Sequence, residues 1–266
     1  MKPTTIALVA TGALVWLGSN RRRRPKRRSS SSSADVEFGP APFPPRKESP
    51  QWERLQLLAR KAQEVTGMDG LYSYLLATAQ GESAAVPSAM NTETDGVPAF
   101  RLFCKDMNYL GRYAQNPWRP TICDASDPLA PRWSYSGGWF QIMPAVALAT
   151  SDDRGHLHDP ARVFDPPFAV AYAADLVRRI KVGYGAQTWG DIRAGWALPK
   201  WARPDSTAEG KAKVLERFAR RLGQVASRGV DTDLASKTFT TRNYPGFTRV
   251  LHALLAADGR IGAQLA

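Results

Sequence analysis

Apolar residues in QWERLQLLARKAQEVTG fall at Trp52, Leu55, Leu58, Ala59, Ala62 and Val65. Steps of three and four line one face of a helix, and Gly67 supplies a stop. The next stretch, GLYSYLLATAQGE, is apolar on nearly every side and predicts a more deeply buried helix ending at or near Glu82. Periodicity then fails from 91 to 134, where Pro, Asn and Asp recur, so this stretch reads as a long loop insertion. Helical patterns return at 145–151, 167–182, 207–227 and 245–256, and no run alternates as a half-buried strand would. Within 207–227, Val214, Leu215, Phe218, Leu222 and Val225 share one face and cations the other, as in a helix packed on the body with its outer side solvated. The expected fold class is mainly α.

The first fifty residues follow different rules. Pro3 to Asn20 is an uncharged run of 18 residues, long enough for a membrane span. Only Lys2 precedes it among charged side chains, whereas seven cations follow in RRRRPKRR, residues 21–28. A secretory signal carries its charges in front, so the run reads as an uncleaved single-span anchor. The alternatives are an unusual signal peptide and a helix buried in an assembly. Residues 29–50 are Ser-rich, then Pro-rich, and read as an extended tether. The expected division is an anchor with basic flank at 1–28, a linker at 29–50, a helical domain at 51–205 and a helical extension at 206–266.

Composition changes this picture in one respect. The formal charge is +12, but the Arg21–Arg28 cluster carries seven of those charges and leaves +5 for the rest. A basic isoelectric point is then no sign that the folded body binds nucleic acid. Arg21–Arg28 reads first as a stop-transfer flank, with anionic lipid or nucleic acid as further contacts. A mildly basic body suits an anionic polymer such as cell-wall glycan bearing peptides. Cys104 and Cys123 are the only cysteines: too few for a disulfide scaffold, they form either one local disulfide or two small buried thiols. DDRGHLHD, residues 152–159, crowds two histidines with acids, but His-x-His in a loop lacks helical ligand spacing. No metal or organic cofactor is expected.

Candidate chemistry centres on Glu82. The chain ends an apolar helix on a carboxylate, continues Ser83-Ala-Ala, and turns at Pro87 before Ala89. Further on, SGGWFQIMPAVA, residues 136–147, combines a Gly-Gly turn with an apolar segment carrying one amide, Gln141. An acid at the edge of an apolar wall holds its proton near neutrality, which is what cleavage of a glycosidic bond requires.

Glu82, Ser83, Pro87 and Ala89, followed in order by Gly138, Gln141, Ile142, Met143, Pro144 and Ala147, resemble the two motifs of the soluble lytic transglycosylase (SLT) family of the lysozyme-like superfamily. The resemblance covers roughly residues 51–200. Three features depart from the family pattern. Ala85 stands where a large or aromatic residue is usual, the gap between motifs is long, and Ile192 and Arg193 replace a Tyr-Asn pair ahead of Ala194 and Gly195. Arg193 then contacts the substrate, or pairs with Glu82 and holds it ionised, which spoils it as an acid.

The resemblance implies an SLT-type helical domain that cleaves the β-1,4 bond between N-acetylmuramic acid and N-acetylglucosamine in peptidoglycan. Glu82 is the implied catalytic acid and base, and Ser83, Tyr135, Gln141, Met143 and Arg193 are candidate substrate-binding residues. Ser83 either braces the glutamate or caps the helix. Tyr135, Trp139, Trp196 and Trp201 are aromatic candidates for stacking on sugar faces, with core packing as the ordinary role. Glu93 or Asp95 is a further candidate, to orient water. Intramolecular attack by the muramyl 6-hydroxyl makes a lytic transglycosylase; attack by water makes a lysozyme-type hydrolase. Two rival readings remain: a glycan-binding domain without catalysis, and a membrane-tethered structural or nucleic-acid-binding assembly protein. Cations after the span favour retention of the domain on the cytoplasmic side, away from cell wall. The expectation that reconciles the two is a phage virion protein delivered to the wall, or else a bacterial envelope protein held in the opposite sense.

Overall fold

The computed structural model describes residues 48–91, 136–142, 160–207, 209–241 and 244–265. The expected membrane span, the basic cluster, nearly all of the tether, both cysteines, the histidine loop and the helix expected at 145–151 lie outside the described residues, as do Glu93, Asp95, Tyr135 and Met143. Among the described residues no helix is long and apolar enough to cross a membrane.

The described chain is mainly α. Helix α1 (Trp52–Thr66) buries Leu55, Leu58, Ala59 and Ala62, half-buries Trp52 and Val65, and adds Thr66 to its inner face. It ends where expected: Gly67 takes the left-handed conformation and donates its N–H to Gln63. Helix α2 (Leu71–Glu82) is the centre of the molecule, with every residue from Leu71 to Ala79 buried. A helix apolar all round has neighbours all round, and α1 and α5 (Glu209–Gln224) pack along it. Helix α3 (Pro166–Tyr184) lies against α1, and α4 (Trp189–Ala197) packs on α3 and α5. Helix α6 (Phe247–Leu265) closes over α1 and α3, where Asp258 receives both Nε and Nη2 of Arg54 at 2.7 and 2.5 Å.

Residues 209–265 are therefore built into the same core as α1 to α4. Phe218, Leu222 and Val225 of the α5 region are buried, while Arg217 and Arg220 stay exposed. Val250, Leu251 and Leu254 bury the inner face of α6. The remaining regular structure is small. Met90–Asn91 (β1) and Ser136–Gly137 (β2) pair antiparallel, Met90 opposite Gly137. This two-residue pairing matters because it joins the two halves of the candidate motif.

Candidate functional site

Glu82 is the last residue of α2, and the chain turns sharply beyond it. Ala84 and Ala85 have φ of 52° and 61°, and Gln141 has φ of 48°. Left-handed backbone costs a non-glycine residue about 1–3 kcal/mol, so surrounding contacts hold it there. The turn presents its carbonyls to the second motif. Trp139 Nε1 donates to Ala85 O at 3.0 Å, Gly138 N donates to Ala89 O at 2.9 Å, and Gln141 Nε2 donates to Ala89 O at 3.1 Å. In return, Ser83 Oγ donates to Trp139 O at 2.9 Å.

These bonds explain several residue choices. Ala85 is fully buried as well as left-handed, and the aromatic ring anchored to its carbonyl is Trp139. A Cβ at Gly138 would collide with the Val163 carbonyl oxygen, and its φ is 74°. Gly137 and Ile142 exchange backbone hydrogen bonds at 3.0 and 2.9 Å, closing the loop that carries Gln141. Trp139 and Phe140 are both about 1% exposed, and burying two such rings stabilises the junction by roughly 1.5–3 kcal/mol each.

The surroundings of Glu82 differ from the apolar wall expected from sequence. Arg193 Nη2 on α4 meets Glu82 Oε1 at 2.5 Å, and Arg221 Nη1 on α5 approaches the same oxygen at 3.4 Å. Glu82 lies at the end of an apolar helix, but what faces its carboxylate is cationic. Among the described residues nothing bonds Oε2. The carboxylate is 23% exposed and Arg221 21%, whereas Arg193 is 7% exposed. Arg221 Nη2 also donates to Gly81 O at 3.0 Å, and any side chain at Gly81 would overlap that guanidinium. Burial, and then the neighbouring charge of Arg193, lower the pKa of Arg221 from its ordinary value.

Behind Glu82 runs a polar column. Tyr74 and Thr78 lie two turns and one turn earlier on α2, on the side that carries Glu82. Among the described residues the Tyr74 hydroxyl, Thr78 Oγ1 and Arg193 Nε and Nη1 are buried without a hydrogen bond of ordinary geometry, although Thr78 and Arg193 both lie close enough to interact with the Tyr74 hydroxyl. Burial pushes the Tyr74 phenol upward, with the Arg193 charge opposing. Around the column stand three rings from two elements: Trp189 and Trp196 of α4 and Phe218 of α5 all contact Tyr74.

The fates of the expected site residues are therefore distinct. Glu82, Ser83, Gln141 and Arg193 gather at one junction. Ser83 does not brace the Glu82 carboxylate: its hydroxyl reaches Trp139 O and, at 3.2 Å, Ala79 O within its own helix. Gln141 spends its amide donors on Ala89 O and Gly138 O, so it fixes the loop. Of the two roles open for Arg193, the structure has the pairing with Glu82. Trp139 belongs to the core, and Trp196 is half-buried against Tyr74 and Phe140. Trp201, also half-buried, faces Gly210, where a Cβ would strike its ring. Sequence reasoning missed Tyr74, Thr78 and Arg221. The first two are polar positions four and eight residues before Glu82, a readable signal; Arg221 lies 139 residues away and has none.

Comparison with protein-family models, curated proteins and solved structures yields no match.

Proposed function

We propose that this chain cleaves the β-1,4 bond between N-acetylmuramic acid and N-acetylglucosamine of peptidoglycan, as a lytic transglycosylase with a lysozyme-like helical domain. Pro3–Asn20 would tether it to a membrane, in a bacterial envelope or a phage virion. The observation that carries the reading is the junction itself. Two motifs more than fifty residues apart are hydrogen-bonded to each other around the helix end that bears Glu82.

In this reading Oε2 of Glu82 transfers the proton, since both guanidiniums occupy Oε1. Glu82 protonates the glycosidic oxygen, and the 2-acetamido group of the substrate stabilises the cation that develops at C1. The resulting carboxylate, still partnered through Oε1, takes the proton of the muramyl 6-hydroxyl as that oxygen closes on C1. Arg193, the nearer of the two guanidiniums, orients the carboxylate. Incubating the full chain with purified sacculi and analysing the released sugars tests this. 1,6-Anhydromuramyl ends support the transglycosylase, new reducing ends support a hydrolase, and intact strands overturn both.

A second reading, glycan binding without cleavage, is favoured by one observation: Arg193 stands where the family pattern has Tyr-Asn, and it engages the only carboxylate at the junction among the described residues. Retention of sacculi by a protein that releases no products would establish it.

A further inference from the structure

Among the described residues the charge at the junction does not balance. Two guanidiniums share a single carboxylate oxygen, leaving one positive charge in excess. Arg217, exposed one turn before Arg221 on α5, adds a third cation close enough to act on Arg221. Donors are also in surplus. Arg193 uses only Nη2 on Glu82, and its buried Nε and Nη1 make no hydrogen bond of ordinary geometry among the described residues, the Tyr74 hydroxyl being the acceptor near them. Arg221 holds Glu82 at 3.4 Å, a long contact for a charged pair, and it is three times as exposed as Arg193. A partly open cationic pair with unmet donors is a receptor lacking its anion. The alternative, that the pair is only a strut between helices, is served poorly by such a long bond and so many orphan nitrogens.

We infer that Arg193 and Arg221, with Glu82 between them, form a carboxylate receptor in which an acidic group of the glycan strand docks on the half-buried Arg221 and draws it off Glu82. This rests on the peptidoglycan reading and deepens it. The receptor distinguishes an acidic strand from a neutral one with the same β-1,4 backbone, and it ties the freeing of Glu82 to the arrival of the right polymer. Gly81 is part of the device, because only a residue without Cβ lets the guanidinium lie across the end of α2.

Two carboxylate sources exist in such a strand: the acidic residues of attached peptides, and the lactyl group of those sugars that carry no peptide, since attachment converts it to an amide. Cleavage by the full chain is therefore compared on intact sacculi, on strands stripped of peptide, and on neutral chitin oligosaccharides. Binding of N-acetylmuramic acid and of N-acetylglucosamine is measured in parallel. The inference expects Arg221→Gln to lower kcat/KM on acidic strands about tenfold, the loss of one charge-assisted hydrogen bond, chiefly through KM. The loss on chitin, where no carboxylate docks, is smaller, so the ratio of acidic to neutral turnover falls, and Arg221→Lys recovers part of that ratio. A response confined to stripped strands assigns the lactyl carboxylate that stripping frees, a response confined to sacculi assigns the peptide, and a response on both shows that the receptor takes either carboxylate. Equal losses on acidic and neutral strands overturn the receptor and leave the cleavage reading standing. If no strand is cleaved, binding decides separately. N-acetylmuramic acid affinity that depends on Arg221 keeps the receptor while cleavage falls, and affinity equal to that of N-acetylglucosamine in both proteins ends the inference.

Discussion

Helices α4 and α5 are joined to carboxylates twice, at Asp191 and at Glu82, and the two sites are built on opposite terms. Asp191 Oδ2 receives the N–H groups of Gln187 and Thr188 at 3.0 Å each, and Oδ1 receives Lys211 Nζ at 2.8 Å. Thr188 Oγ1 accepts from Asp191 N in return, completing a capping box, and Lys211 spends a second proton on Arg203 O. Burial opposes the charge on Asp191, but Lys211 and the two backbone donors outweigh it and hold its pKa below the usual carboxylate range. At Glu82 two cations crowd one oxygen, the other oxygen has no partner among the described residues, and three further polar groups are orphaned nearby. A satisfied network stabilises a fold, whereas an unsatisfied one keeps capacity for something that binds. The lesson is that a carboxylate–cation pair reads as structural or functional by how many of its other atoms are met.

The largest effect that separates the two sites is catalytic. Glu82→Gln keeps an acceptor for Arg193 but removes the transferable proton, so turnover of sacculi is expected to fall about 10²–10⁴-fold, read by product release. In Asp191→Asn, activity per folded molecule is expected to persist. Next comes stability. Lys211→Met strands a buried carboxylate and is expected to cost about 3–5 kcal/mol in denaturant unfolding. Arg193→Met removes a guanidinium that is only partly bonded and leaves Glu82 with Arg221, so its cost is expected to be roughly 1 kcal/mol or less. Equal costs would break the comparison.

Acid pH supplies a third contrast, at Asp165, the N-cap residue of α3. Burial pushes its pKa up to about 6, against the opposing charge of Arg162. In the fold Asp165 therefore holds its proton to higher pH than in the unfolded chain. Its destabilising effect is absent at pH below its unfolded pKa, grows as pH rises, and is complete above about 6. Asp165→Asn is expected to lose this dependence, so its stability relative to the parent should rise between pH 4 and 7 by about 1–3 kcal/mol. A flat difference across that window would contradict the assignment. A similarly small effect is expected at the junction of the two motifs. Trp139→Phe removes one donor from Ala85 O, which keeps its bond from Gln51 N at 2.9 Å, and is expected to cost about 1 kcal/mol.

Local patterns were legible in the chain, and long-range electrostatics were not. The stop at Gly67, the buried helix ending on Glu82, and the inner face of Phe218, Leu222 and Val225 follow from spacing within a few turns. The two motifs are paired through their resemblance, in order, to those of a known family; the turn residues Pro87 and Gly137–Gly138 mark each one locally but do not by themselves bring them together. What faces Glu82 depends on chain crossings of 111 and 139 residues, which no local period encodes. The same holds for Ser83, whose partner is a carbonyl from the second motif, and for Trp139, whose indole is drawn into the core by the strained turn it stabilises.

The central claim is that the proton moved in cleavage belongs to Glu82. Mass analysis of sugars released from sacculi by the full chain and by Glu82→Gln, at equal folded concentration, addresses it most directly. The account expects anhydromuramyl ends from the parent and at most a hundredth as many from the variant; equal yields from both would contradict it.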